Sequence, residues 1–123
     1  MLHSKASLLS EIALADLTEE EKNKLELYSF APVSILKDSY GSKVQNISSK
    51  FDAVLLQNPM GLINYLFSGK TNIEWLSPLE MVPFLDHRFG SETYQTKIKE
   101  IIEEVLARYR INELSWQDLV IQN

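Results

Sequence analysis

Residues 91–110 read SETYQTKIKEIIEEVLARYR, and this stretch decides the fold that the sequence predicts. Its apolar residues recur at steps of three and four, which places them along one side of an α-helix: Ile98, Ile101, Ile102, Val105, Leu106 and Tyr109. Glu104 and Arg108 stand four positions apart, a spacing at which an ion pair stabilises a helix by about 0.3–0.5 kcal/mol. The pattern predicts an amphipathic helix over 91–110.

Four more helices are predicted on the N-terminal side of this stretch. The first covers 4–15, with Ser4 as a candidate N-cap. A short second helix begins at Thr18, because Thr18 and Glu21 form the pattern of a capping box. Two further segments carry apolar residues at helical spacing and are assigned to residues 42–57 and 59–67.

Three stretches do not fit a helical period. In 29–41, Pro32 disfavours helix for the residue before it, and residues 33–36 are a candidate short strand. In 70–90, Pro83 limits any helix to about one turn, and residues 84–90 are expected to form a structured loop. The tail, 111–123, favours a short strand at 118–122, with a helical turn as the alternative.

Together these segments predict a mainly α fold, a compact bundle of about five helices in a single domain over 1–123. The candidate strands near 33–36 and at the C-terminus leave an α+β fold as the alternative. The chain has 123 residues, of which 45% are hydrophobic and 24% charged. These values are ordinary for one globular domain and argue against disorder.

Composition also narrows the function. The chain has no cysteine, which excludes a disulfide scaffold and a cysteine nucleophile. The net charge is −5, and neither half is basic, so we expect no nucleic-acid partner and no binding to an anionic membrane. Polar residues interrupt the N-terminal apolar segment. We therefore expect neither a signal peptide nor a transmembrane helix, and a cytoplasmic protein.

The sequence shows no catalytic motif. His87 lies between Asp86 and Arg88, and this loop is the one candidate for a small enzyme or ligand-binding domain. His3 lies in a terminus that is expected to fray. No histidine and carboxylate stand at the spacing of metal ligands, so no metal site is predicted. Residues 69–71 copy only the end of a phosphate-binding loop. We expect no catalytic residue, no metal, no cofactor and no small-molecule substrate.

Residues 76–91, LSPLEMVPFLDHRFGS, resemble a stretch of the baseplate wedge family of contractile phage tails, which includes the sheath-initiating component of type VI secretion. In that family the stretch reads threonine-proline-leucine-glycine-glutamate, then aspartate-x-x-phenylalanine-glycine-serine. It leads to an amphipathic helix followed by strands, for which residues 119–121 would be the first here. The resemblance implies a non-enzymatic, virion-associated assembly subunit with Arg110 as an interface contact.

The leading functional hypothesis is therefore a structural or adaptor protein that binds a protein partner or associates with itself. Aromatic and arginine side chains are enriched at protein interfaces, and the candidate interface residues are Trp75, Phe84, His87, Arg88, Phe89 and Arg110. Two alternatives stay open. One is a small acidic inhibitor or immunity-type protein that binds a basic partner, and the other is the enzyme or ligand-binding domain that uses residues 86–88.

Overall fold

The computed structural model describes residues 1–50, 52, 58–60, 63, 67, 72–79 and 87–121, with the backbone alone over 115–121. Its centre is a parallel sheet with strands in the order β1-β2-β3-β4. The strands are β1 Leu2–His3, β2 Glu26–Phe30, β3 Lys43–Ser49 and β4 Ile73–Leu76. Because every neighbouring pair is parallel, the carboxyl ends of all four strands lie at one edge of the sheet.

Helices connect and follow these strands. Helices α1 (Lys5–Ala15) and α2 (Glu19–Lys22) join β1 to β2, and a 3-10 turn at Asp38–Tyr40 precedes β3. Helix α3 (Glu92–Ile121) follows β4. The described residues of the predicted 59–67 helix, which are 59, 60, 63 and 67, have helical backbone, and the rest of that segment lies outside the described residues.

The alternating side chains of the strands form two hydrophobic clusters, one on each face of the sheet. The cluster against α3 contains Tyr28, Phe30, Ala31, Val33, Ile47, Tyr94, Ile98 and Ile101. The other cluster is centred on Leu14, Leu36 and Tyr40. Burial of such apolar surface contributes about 25 cal/mol per Å² and holds α3 and α1 on opposite faces.

The predicted five-helix bundle is wrong, because the structure has an α/β arrangement built on a parallel sheet. The error centres on residues 42–57, where β3 replaces the first half of the predicted helix. Val44 and Ile47 are three residues apart, which imitates a helical period, but they point to opposite faces of the strand. Between and after them, polar side chains are fully buried: Asn46, Ser48 and Ser49.

Both predicted strands are also wrong. Residues 33–36 follow β2 without joining the sheet, and residues up to 121 continue α3. The capping box at Thr18 and Glu21 is confirmed, with both of its hydrogen bonds present. The helix over 91–110 is confirmed too and is longer than predicted. Glu104 makes its shorter ion pair with Lys43 at 3.0 Å, and its contact with Arg108 is 3.9 Å long.

Charged pairs attach α3 to the sheet beside the apolar contacts. Arg108 donates two hydrogen bonds to Glu26 on β2, at 2.7 and 2.8 Å. These bonds hold the pKa of Glu26 well below its usual range, at about 2. In the described part of the chain, no helix has both the length and the apolar character that crossing a bilayer requires.

Candidate active site

Ser4 occupies a sharp turn between β1 and α1. Its backbone has φ 54° and ψ −125°, and among the described non-glycine residues only Ala31 also has a positive φ. Such conformations cost about 1–3 kcal/mol and cluster at functional sites. The Ser4 amide donates to the Phe30 carbonyl at 3.0 Å, so the sheet holds the turn at the end of β1. Ser4 occupies the predicted N-cap position of α1, but its side chain makes no capping hydrogen bond.

Ser7, in the first turn of helix α1, stabilises the backbone at Ser4 through hydrogen bonds. Its hydroxyl donates to the Ser4 carbonyl at 2.7 Å. It also accepts from the amides of Val33 and Ser34, at 3.1 and 3.2 Å. Ser7 is fully buried, so each of these bonds satisfies a group that water does not reach. The result is a rigid connection between the Ser4 turn and the segment that follows β2.

The Ser4 hydroxyl lies against the imidazole of His87, with Oγ and Nε2 3.2 Å apart. The other ring nitrogen, Nδ1, faces the Asp52 carboxylate at 2.9 and 3.1 Å. A carboxylate only accepts, so Nδ1 carries the proton and Nε2 presents its lone pair to the Ser4 hydroxyl. His87 is therefore in the tautomer that can remove a proton from Ser4.

The Asp52 carboxylate is buried, with a side chain only 1% exposed. The Tyr94 hydroxyl donates to its Oδ2 at 2.9 Å and accepts from the Ser49 amide, also at 2.9 Å. Burial raises the pKa of Tyr94, so this hydroxyl keeps its proton. The Asp52 amide donates to the Ser49 carbonyl at 3.0 Å, which ties Asp52 to the end of β3.

His3, the last residue of β1, fixes the loop that carries His87. Its Nε2 donates to the His87 carbonyl oxygen at 2.8 Å, which requires a proton on that nitrogen. The two imidazole rings are 5.2 Å apart between centroids, and the ring of Phe89 is also 5.2 Å from His3. The backbone of His87 is thus held by the residue that immediately precedes Ser4.

The N-terminus of α1 begins at Lys5, directly after Ser4. The first amides of a helix have no acceptor within the helix and carry the positive end of its dipole. The Lys5 amide belongs to this group of donors, and amides at a helix start can stabilise a negative oxygen. No three His, Cys, Asp or Glu side chains of the described residues are grouped to hold a metal ion.

Three of these groups form one hydrogen-bonded series that runs from Ser4 through His87 to Asp52. Each follows the carboxyl end of a different parallel strand: β1 for Ser4, β3 for Asp52 and β4 for His87. In open α/β sheets this edge is where ligands bind. Ser4 is half-buried and the His87 side chain is 30% exposed, so neither residue is closed off from solvent. The arrangement suits nucleophilic attack on an acyl carbon.

The structure brings only part of the predicted interface together. His87 and Phe89 lie at the Ser4 turn, and Arg88 between them is exposed. Trp75 is on β4 and is 46% exposed. Arg110 is exposed on α3, eighteen residues after its start, which is about 27 Å along the helix axis. Phe84 and Asp86 lie outside the described residues.

Sequence reasoning missed most of this site. It treated Ser4 as a cap, His3 as frayed and Asp86 as the carboxylate partner of His87. It gave Asp52 no role and counted Tyr94 only among the aromatic side chains that fill the core. The carboxylate that His87 contacts is Asp52, 35 residues away. One signal was present: a serine at a strand-to-helix junction, followed along the chain by an aspartate and then a histidine.

No protein-family model matches this chain, and comparison with curated proteins and with solved structures finds no significant match. The resemblance to the baseplate wedge family stays a prediction, because none of these comparisons bears on it.

Proposed function

We propose that the chain carries the catalytic triad of a serine hydrolase that acts on acyl compounds such as carboxylic esters. The observation that carries the proposal is the continuous contact from Ser4 Oγ to His87 Nε2, and from His87 Nδ1 to Asp52. Triads are recognised by this geometry and by the roles of the three groups, whatever the fold.

Two features of the fold support the proposal. Ser4 lies on a strained turn from a strand into a helix, which is the setting of the nucleophile in α/β-hydrolases. The order along the chain is serine, aspartate, histidine, which is also the order in those enzymes and differs from the orders in chymotrypsin and subtilisin. A parallel sheet that holds all three groups at one edge is consistent with the same class.

The proposed reaction has two steps. Ser4 Oγ attacks the acyl carbon while His87 Nε2 takes the hydroxyl proton, and the negative oxygen lies at the Lys5 amide. The bond to the leaving alcohol then breaks, the alcohol takes the proton from His87, and an acyl-Ser4 ester is left. In the second step His87 removes a proton from water, which attacks the ester; the bond to Ser4 Oγ breaks, Oγ takes that proton back from His87, and the acid is released. Asp52 holds the ring and balances the imidazolium charge throughout.

Hydrolysis of p-nitrophenyl esters by purified variants tests this proposal. Ser4→Ala should lower kcat/KM by at least about 10³-fold, because the nucleophile is lost. Ser10→Ala is the matched control: Ser10 is on the same helix, and its hydroxyl donates to the Ala6 carbonyl at 2.6 Å. The control should keep the wild-type rate. Equal rates for Ser4→Ala and wild type would contradict the assignment of Ser4.

We also propose that the chain binds a protein partner or associates with itself. Exposed apolar side chains favour it, among them Leu9 and Ile12 on α1, which are 68% and 71% exposed. Light scattering during size-exclusion chromatography over a hundredfold range of concentration tests self-association. A cytoplasmic location also stays a proposal.

A further inference from the structure

Tyr94 lies behind the triad, on the first turn of α3. Its ring belongs to the cluster between α3 and the sheet, where it meets the Phe30 ring edge-on with centroids 5.9 Å apart. The residue is 0% exposed, so it touches no substrate. Its hydroxyl is nevertheless one hydrogen bond away from the Asp52 carboxylate.

The Tyr94 hydroxyl donates its proton to Asp52. The Ser49 amide donates to its oxygen at 2.9 Å and occupies a lone pair, so the hydroxyl proton points to Asp52 Oδ2. The same Oδ2 is the closer carboxylate oxygen to His87 Nδ1, at 2.9 Å. Two donors that meet at one oxygen fix the rotation of the carboxylate about its last bond, and thereby the direction in which it faces the imidazole.

We infer that Tyr94 is a positioning residue of the triad: it holds the Asp52 carboxylate in the orientation that keeps His87 ready to accept the Ser4 proton. The inference rests on the proposed function. A buried carboxylate is stable only when hydrogen bonds replace its lost hydration. Tyr94 supplies such a bond while staying neutral, so it supports the charge of Asp52 without competing with the imidazolium for it.

Tyr94→Phe removes the hydroxyl and keeps the ring in the core. We expect kcat to fall about tenfold, which is about 1.4 kcal/mol, and KM to change by less than about twofold, because Tyr94 does not reach the substrate. The acidic limb of the pH profile should move to higher pH, because a carboxylate that has lost one donor attracts the protonated imidazole more strongly. Among the described residues, the other titratable groups that face His87 are Asp52 and His3.

Tyr28→Phe is the matched control. Tyr28 is a second buried tyrosine of the same cluster, and its hydroxyl also donates to a carboxylate, Glu26 Oε2, at 3.0 Å. Its loss should leave kcat and the pH profile at their wild-type values. A measurement that needs no activity is the downfield proton resonance of His87 Nδ1–H, which should move in Tyr94→Phe and stay in place in Tyr28→Phe.

The outcomes separate the two proposals. If wild type shows no hydrolysis that depends on Ser4, the hydrolase proposal fails, and the resonance still reports whether Tyr94 orients Asp52 against His87. If wild type is active and Tyr94→Phe matches Tyr28→Phe in kcat, pH profile and resonance, the role of Tyr94 is overturned. Lower thermal stability of Tyr94→Phe with an unchanged pH profile and resonance would also overturn it, since that is the result of a purely structural role.

Discussion

Replacement of Asp52 by Asn should remove nearly all turnover and leave the protein folded. The Asp52 carboxylate accepts the Nδ1 proton of His87 at 2.9 and 3.1 Å and so decides which ring nitrogen carries it. An amide removes the negative charge opposite the imidazolium in either orientation. When the NH2 group of the Asn side chain faces Nδ1, the ring proton moves to Nε2. Nε2 then no longer accepts the proton of the Ser4 hydroxyl.

The size of the effect follows from these contacts. In serine-protease triads the same replacement lowers kcat by about 10⁴-fold, which is about 5.4 kcal/mol at 1.36 kcal/mol per factor of ten. In Asp52→Asn the Asn carbonyl can keep the Oδ2 position and the hydrogen bond from Tyr94, so part of the arrangement is retained. We therefore expect a loss in kcat of at least about 10³-fold here, below the value for serine proteases. Stability should change little, because a neutral amide is less costly to bury than a carboxylate.

Initial rates of p-nitrophenyl ester hydrolysis, together with thermal unfolding of the same samples, measure both effects. Asp16→Asn is the control, since Asp16 is an exposed aspartate at the end of α1. A rate for Asp52→Asn within about tenfold of wild type would refute the role of Asp52 in orienting His87. A rate lost together with the folded state would show instead that Asp52 is needed for folding, and would refute the prediction that the variant stays folded.

Two further predictions concern the scaffold that holds the site. Arg108→Gln should lower Tm at pH 7, because Arg108 holds the pKa of Glu26 at about 2. A carboxyl group whose pKa is lowered on folding contributes stability at pH values above its usual pKa of 4.5, and this stability is lost as the pH falls towards 2. The Tm values of the variant and of wild type should therefore converge near pH 2. A difference in Tm that persists there contradicts the assignment. Ser7→Ala should lower the free energy of unfolding in urea by about 2 kcal/mol, because it leaves the buried amides of Val33 and Ser34 without their acceptor. A loss below about 0.5 kcal/mol would show that this hydroxyl does not support the Ser4 turn.

Some of the fold is encoded locally, and that part could be predicted. The start of α3 is set by apolar residues at helical spacing, and α2 by the Thr18–Glu21 capping box, so both follow from neighbouring residues alone. The sheet is different. In β3, Asn46 is buried because its amide group bonds the backbone of Leu36 in both directions, and that partner is ten residues away. Because β3 carries buried polar side chains such as that of Asn46, which bonds to groups that are distant in sequence, this strand lacks the continuous apolar run that is typical of a buried parallel strand.

The site was harder to predict for the same reason. Ser4 and His87 are 83 residues apart, and His87 and Asp52 are 35 apart, so no local spacing connects them. Only the parallel sheet brings the ends of β1, β3 and β4 to one edge. The adjacent Asp86 was the obvious partner for His87 in the sequence, whereas the contact that the structure shows depends on where β3 ends. The strained backbone at Ser4 has no sequence signal of its own, because the residue is not a glycine.

Covalent labelling with a fluorophosphonate tests the central claim most directly, because the reagent reacts with a serine whose hydroxyl is activated by a neighbouring base. We expect a single adduct by intact mass, located on Ser4 by peptide mapping. Labelling should be lost in Ser4→Ala, strongly slowed in His87→Ala and unchanged in Ser10→Ala. A folded protein that gives no adduct, or an adduct on any other serine, would contradict the account.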